Sequence, residues 1–138
     1  MGDVELQQAQ QILDAQPFSR FLGARLTRWD TSGVTLELDV RPEFLQQHGF
    51  VHGGVQAYLA DNALTFAGGQ VLGGNVLTAD VAVNYLRPAQ GDTLITRATV
   101  QAQASAKAVT LVEIFARSDG EEYLCSVGTG TIAAIKHK

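Results

Sequence analysis

The stretch QQHGFVHGGVQAYLADNALTFAGG, residues 46–69, decides how this chain is read. From Gly53 to about Gln70 it is small and apolar for long enough to form about five helical turns. One carboxylate, Asp61, interrupts it between Ala60 and Asn62. A carboxylate among core residues is costly unless a neighbour holds its charge or its shifted pKa is put to use. On a wheel of about 100° per residue, Val55, Leu59, Ala63 and Phe66 gather on one side, the side expected to face the core. Asp61 lies opposite, on a face made by Gly54, Ala57, Tyr58, Thr65 and Gly68. A solvated helix face normally collects Lys, Glu and Gln. Small residues around an acid instead suggest that another chain or a ligand comes close, against the plainer reading of a surface acid. Thr65 stands one turn beyond Asp61, where its hydroxyl can reach the carboxylate or a water beside it.

The helix start adds donors to this acid. Gly53 and Gly54 fall where backbone N–H groups have no intrahelical partner and the helix dipole is positive, and the missing side chains leave room for a ligand oxygen. This reads as an oxyanion hole, although Gly-Gly at a helix start is also ordinary turn chemistry. Eight residues separate Gly53 from Asp61, roughly 12 Å along a helix axis, too far to flank one carbonyl. If both act on one substrate they come from different chains, so a twofold dimer with antiparallel central helices and two equivalent composite sites is expected.

Around this helix the period of the sequence is two. ARLTRWD and VTLELDV flank the turn TSG as a hairpin. After the helix come VLTADVAVNYL, DTLITRATVQAQA, AVTLVEIFARS and EEYLCSVGTGTIAAI, joined by turn-sized connections that include Asp119-Gly120. Val4 to Leu13 has a helical period ending near Pro17 and reads as a lid or anchoring helix, and FSRFLG closes a further turn at Gly23, so residues 1–23 form an N-terminal helical segment. The expectation is one α+β domain over residues 1–138, with a twisted antiparallel sheet of about six strands wrapping a long central helix.

The totals narrow the function classes. The 138 residues are 46% hydrophobic and 17% charged, as in globular proteins, and the formal net charge of −4 gives no general attraction for nucleic acid. Ten Lys and Arg must supply any local anion site. The single cysteine, Cys125, excludes a disulfide within one chain and reads as an inert buried thiol. The first residues carry acids where a signal peptide carries bases, and no apolar run approaches the ~18–20 residues that cross a bilayer, so a cytoplasmic protein without membrane association is expected. His48 and His52 have a spacing that suits two metal ligands on a helix, but they precede the helix and no third ligand is evident, so no metal site is expected. His52 has a structural reading too, its ring bonding the backbone to shape the loop.

The run HGFVHGGVQAYLADNALTFA, with Gln46 before it and the long strands after it, resembles the hotdog-fold acyl-CoA thioesterases of the PaaI-like (phenylacetic acid degradation) group. H-G-G followed by an acid eight positions after the first glycine carries the resemblance, supported by NYLRPAQGD at 84–92, and the likeness extends from about Phe18 to Ile135. It implies hydrolysis of an acyl-CoA thioester to the acid and CoA without metal or other cofactor, by homodimers that often pair into homotetramers. By position, Asp61 is then the nucleophile or base, and Gly53 the donor to the thioester carbonyl with His52 beside it. Gln46 stands where the family has Asn or Gln near the carbonyl and attacking water, and Thr65 is a hydroxyl near the carboxylate. For CoA phosphates the candidates are Arg87, Lys107 and Lys136. For the acyl pocket they are Tyr58, Phe44 and Phe50, with Gly54 lining the approach. Two other readings keep the fold: an acyl-thioester dehydratase or hydratase using His52 as base, and a non-catalytic acyl-CoA-binding module.

Overall fold

A computed structural model describes residues 3–135 of the chain; Lys136 lies outside them. Helix α1 spans Asp3–Asp14 and α2 Pro17–Leu22, closed by Gly23 in the left-handed region (φ 88°), where a side chain would be strained. Strands β1 (Arg25–Asp30) and β2 (Gly33–Asp39) form the expected hairpin. A short 3-10 turn, Pro42–Phe44, leads to the 20-residue helix α3, Gly53–Leu72. Four strands follow: β3 (Val76–Tyr85), β4 (Thr93–Ala104), β5 (Lys107–Ser118) and β6 (Glu121–Ala134). No helix among the described residues is long and apolar enough to cross a membrane.

The strands make one antiparallel sheet in the order β1-β2-β4-β5-β6-β3. Burial alternates along β5 as the period of two requires, while the first four residues of β4 are all buried, and the sheet closes over α3, whose Leu59, Ala60, Ala63, Leu64 and Ala67 are fully buried. Asp119 and Gly120 both have positive φ, which shapes the tight β5–β6 turn. Cys125 is fully buried, and burial pushes its thiol pKa up, so the structure agrees with an inert thiol.

One residue of the supposed ligand face belongs elsewhere. Gly68 is buried against β6, and a Cβ there would fall 2.6 Å from the Ile132 Cβ. Its smallness lets helix and sheet touch and has nothing to do with Asp61.

The two edges of the sheet are treated differently. Along β1 lies α1, and the Leu26 N–H donates to the Gln10 Oε1 at 2.7 Å. The β3 edge has no strand beside it and carries Leu77 (63% exposed), Tyr85 (53%) and, just beyond, Leu86 (58%). A ten-residue edge with apolar side chains is a ready template for pairing with another chain.

Candidate active site

The loop before α3 is tied down by its own backbone. Val51 N–H donates to Ala89 O, His52 N–H to Phe44 O and Gln46 N–H to Phe50 O, all at 2.8–2.9 Å. The Gln46 Oε1 accepts from the His48 N–H at 2.5 Å, which fixes the side chain and leaves its Nε2 without a partner among the described residues. His52 is the N-cap: its Nδ1 accepts the Gly54 N–H at 2.8 Å, so the ring proton sits on Nε2. The expectation of two open N–H groups at the helix start is therefore corrected. Gly54 is capped by His52, and the Gly53 N–H is the donor left without an acceptor among the described residues.

A cleft of about 360 Å³ opens at this end of α3. Gln46, Phe50, Gly53 and Arg87 line it together, along with Gln56 and Tyr85. Tyr85, which sequence reasoning passed over, donates its hydroxyl to the Gly53 carbonyl at 2.9 Å and lays its ring on the Gly53 Cα. Arg87 has no ion pair or hydrogen bond from its guanidinium among the described residues, whereas Arg25, Arg28, Arg97 and Arg117 are all engaged with carboxylates.

Asp61 is not in this cleft. It lies mid-helix on the exposed side, beside the open β3 edge, and its Oδ1 accepts from the Thr78 hydroxyl at 2.6 Å. Thr65 plays less of the role expected of it: its Oγ1 is 2.7 Å from both the Asp61 backbone O and the Thr78 Oγ1, but 3.5 Å from the carboxylate. Thr78, on β3, is the hydroxyl that holds the acid. Sequence reasoning missed it because the β3–β6 register shifts between Thr78 and Asp80, so strict alternation does not tell which β3 residues turn toward the helix.

A second cavity of about 390 Å³ lies between α1, β1, β3 and the face of α3 that carries Asn62, Thr65 and Phe66. Ala9, Ile12, Trp29 and Val76 make much of its wall, with Gln8, Gln16 and Gln70 as polar points. The sequence reading supposed a lid helix but assigned it no pocket.

Three of the expected substrate contacts lie elsewhere. Tyr58 donates its hydroxyl to Ser19 Oγ at 2.6 Å, accepts from Asn62 Nδ2 at 3.1 Å and meets the Phe18 ring edge-on, so it fastens α3 to α2. Phe44 is buried beneath the Arg41 guanidinium, 4.4 Å from its ring centroid. Lys107 is exposed beside buried Ala108, which puts its side chain on the sheet face away from α3. No group of three or more His, Cys, Asp and Glu side chains that could hold a metal ion occurs among the described residues.

A long helix enclosed by a six-stranded antiparallel sheet, with an open glycine N–H at its start and an acid at its middle, defines a hotdog-fold protein. The family model described as thioesterase superfamily matches residues 48–123, more than half of the chain. A thioesterase family protein of Silicibacter pomeroyi superposes with TM-score 0.88 at 30% identity, covering 94% of this chain and 96% of that one. The PaaI protein from the phenylacetic acid degradation operon of E. coli superposes with TM-score 0.82 at 25% identity, over 94% and 92% of the two chains. A Mycobacterium tuberculosis protein, provisionally named an esterase, is 36% identical over 43% of this chain; that match spans about half of the relative's length (49%). The chain belongs to the thioesterase superfamily, as a hotdog-fold member of the PaaI-like type. Thioester hydrolysis is the general class of chemistry that membership suggests.

Proposed function

We propose that the protein hydrolyses an acyl-CoA thioester to the free acid and CoA, at two equivalent sites each built from two chains. The carrying observation is the division of the chemistry along α3. The Gly53 N–H, unpaired among the described residues, lines the cleft, while the Asp61 carboxylate stands exposed outside it on the same rigid helix, roughly 12 Å away by its rise. The open β3 edge beside Asp61 is where a second copy pairs, which sets its Gly53 against this acid.

In this reading the Gly53 N–H polarises the thioester carbonyl and Arg87 meets a CoA phosphate. The Asp61 carboxylate, oriented by Thr78, either attacks the carbonyl carbon itself or takes a proton from the water that does. The carbonyl π pair moves onto oxygen and returns as the C–S bond breaks; on the base path the proton taken from water passes to the leaving sulfur, and on the nucleophile path the thiolate takes its proton from solvent and water then hydrolyses the acyl–Asp61 anhydride to the free acid. One water is consumed overall. A thioester is electrophilic enough for this without a serine nucleophile, and no G-x-S-x-G elbow occurs in the chain.

The test is a panel of acyl-CoA thioesters with colorimetric detection of released thiol, run on the parent and on Asp61→Asn. Turnover in the parent, a drop of about 10²–10⁴-fold in the variant and retained acyl-CoA binding support the reading. Full turnover by Asp61→Asn, or activity in a strict monomer, overturns it. A parent that binds acyl-CoA and cleaves none is instead the binding module.

A further inference from the structure

Gln56 is the polar side chain of α3 that no role yet described uses. It is only 4% exposed, one helical turn past Gly53, and it lines the same cleft. Its Oε1 is engaged by the Ser126 hydroxyl of β6 in a very short hydrogen bond. Its Nε2 has no partner among the described residues, yet it is not among the buried polar atoms left unsatisfied, because it reaches the cleft surface. An unpaired amide nitrogen on a side chain this buried costs stability unless water or a ligand in the cleft meets it. A side chain pinned at its oxygen and open at its nitrogen is a donor held ready for an acceptor in the cleft. The other neutral donor of the cleft is the Gly53 N–H, and the cleft's cation, Arg87, lies on the turn with Pro88 and Ala89. The acceptor suited to two neutral donors lining one cleft is a carbonyl oxygen that gains negative charge.

We propose that the Gln56 side-chain amide is a second oxyanion donor, which works with the Gly53 N–H on the carbonyl oxygen of the thioester substrate. The inference rests on the thioesterase reading of the cleft. Ser126 is then a positioning residue, since its hydroxyl decides which end of the amide faces the substrate.

The test removes both partners at once, so that no hydroxyl is stranded in the core: Gln56→Leu combined with Ser126→Ala, compared with the parent. With an acyl-CoA that the parent cleaves, the expected result is a fall in kcat of about tenfold to a hundredfold with KM within about twofold, because the bond strengthens as charge develops. Unchanged kcat, or a rise in KM alone, overturns the proposal while leaving the thioesterase reading intact.

A binding arm needs no turnover. Calorimetry compares a ketone analogue, with methylene for sulfur and the carbonyl kept, with a thioether analogue that lacks the carbonyl. The parent is expected to prefer the ketone by about tenfold, and the double variant by less than about threefold. Equal preference in both proteins overturns the proposal, and a parent that binds neither analogue overturns it together with the acyl-CoA reading. Should the double variant fail to fold, the Gln56 side-chain amide resonances of the unmodified protein decide. They shift on addition of the ketone but not the thioether if Gln56 meets the carbonyl, and respond identically to both if it does not.

Discussion

The first turn of α3 and its middle differ in what the surrounding structure does for them. At the first turn, the carbonyls of Phe50, Ala89 and Phe44 hold the N–H groups of Gln46, Val51 and His52, the His48 N–H holds the Gln46 side chain, and the Tyr85 hydroxyl holds the Gly53 carbonyl. At the middle, Asp61 has one firm partner, Thr78, and otherwise faces outward beside the open edge of the sheet. The first region is finished by its own chain, while the second is left open on the side where another copy would stand. The difference teaches that a site's residues can all be present in one polypeptide while its geometry is not.

The sharpest way to break this comparison uses the cap. Gly53 is the first helical residue and His52 has ψ 136°, so proline fits at position 53 with the preceding residue already extended. Gly53→Pro removes the one N–H and leaves the helix, and turnover is expected to fall by about 10²–10³-fold. Mixing refolded Gly53→Pro and Asp61→Asn chains in equal amounts then creates heterodimers with one intact and one doubly defective site. Turnover is expected to recover to about a quarter of the parent's. No recovery, with heterodimers demonstrated by native mass spectrometry, means that donor and acid act within one chain.

Gly68→Ala sharpens the contrast between glycines. The new methyl would sit 2.6 Å from the Ile132 side chain, so a stability loss of about 1–3 kcal/mol is expected in chemical denaturation, with turnover per folded molecule preserved. Gly53→Ala is the reverse case. Its Cβ would lie 3.4 Å from the Tyr85 ring, an ordinary contact, so stability holds while the cleft narrows. A smaller effect is expected at Thr78. Thr78→Val keeps the shape of the strand and removes the hydroxyl from Asp61, for a fall in kcat of about tenfold with binding of acyl-CoA unchanged. Thr65→Val, whose hydroxyl is 3.5 Å from the carboxylate, is expected to change kcat less.

How much of this was legible follows from the range of each signal. The helix, the hairpin and the long strands were readable because their periods repeat within a few residues, and the H-G-G start and its acid lie on one continuous stretch. Placing β3 at the far edge was not readable, since nothing local distinguishes a strand that pairs with β6 from one that pairs with β2. Thr78 lies 17 residues from Asp61 and next to a shift of register, and the cavity behind α1 is assembled from four separate elements. Tyr58 misled because an aromatic on the acid's face looks like a pocket wall until Ser19 and Asn62 are seen to claim its hydroxyl. Gly68 misled in the same way, its smallness being required by Ile132.

The smallest expected effect lies away from both regions and checks that changes at the site are not changes in the sheet. Arg97 on β4 grips Glu122 on β6 with two hydrogen bonds of 3.0 and 3.2 Å, which hold the Glu122 carboxyl below the usual range. A carboxyl whose folded pKa lies below its unfolded one adds stability that is fully present above the unfolded value and is lost as pH falls through the folded one. Both side chains are about a third or more exposed, so solvent screens the pair and the contribution is at most about 1 kcal/mol. Glu122→Gln is therefore expected to lower stability slightly at neutral pH and to match the parent at the acid end, as denaturant midpoints measured across that range will read. Its turnover should equal the parent's at every pH where both are folded. A variant at this remote pair that altered kcat would mean that the sheet and the acid on its open edge are mechanically coupled, and that the middle of α3 is less independent of its scaffold than its exposure implies.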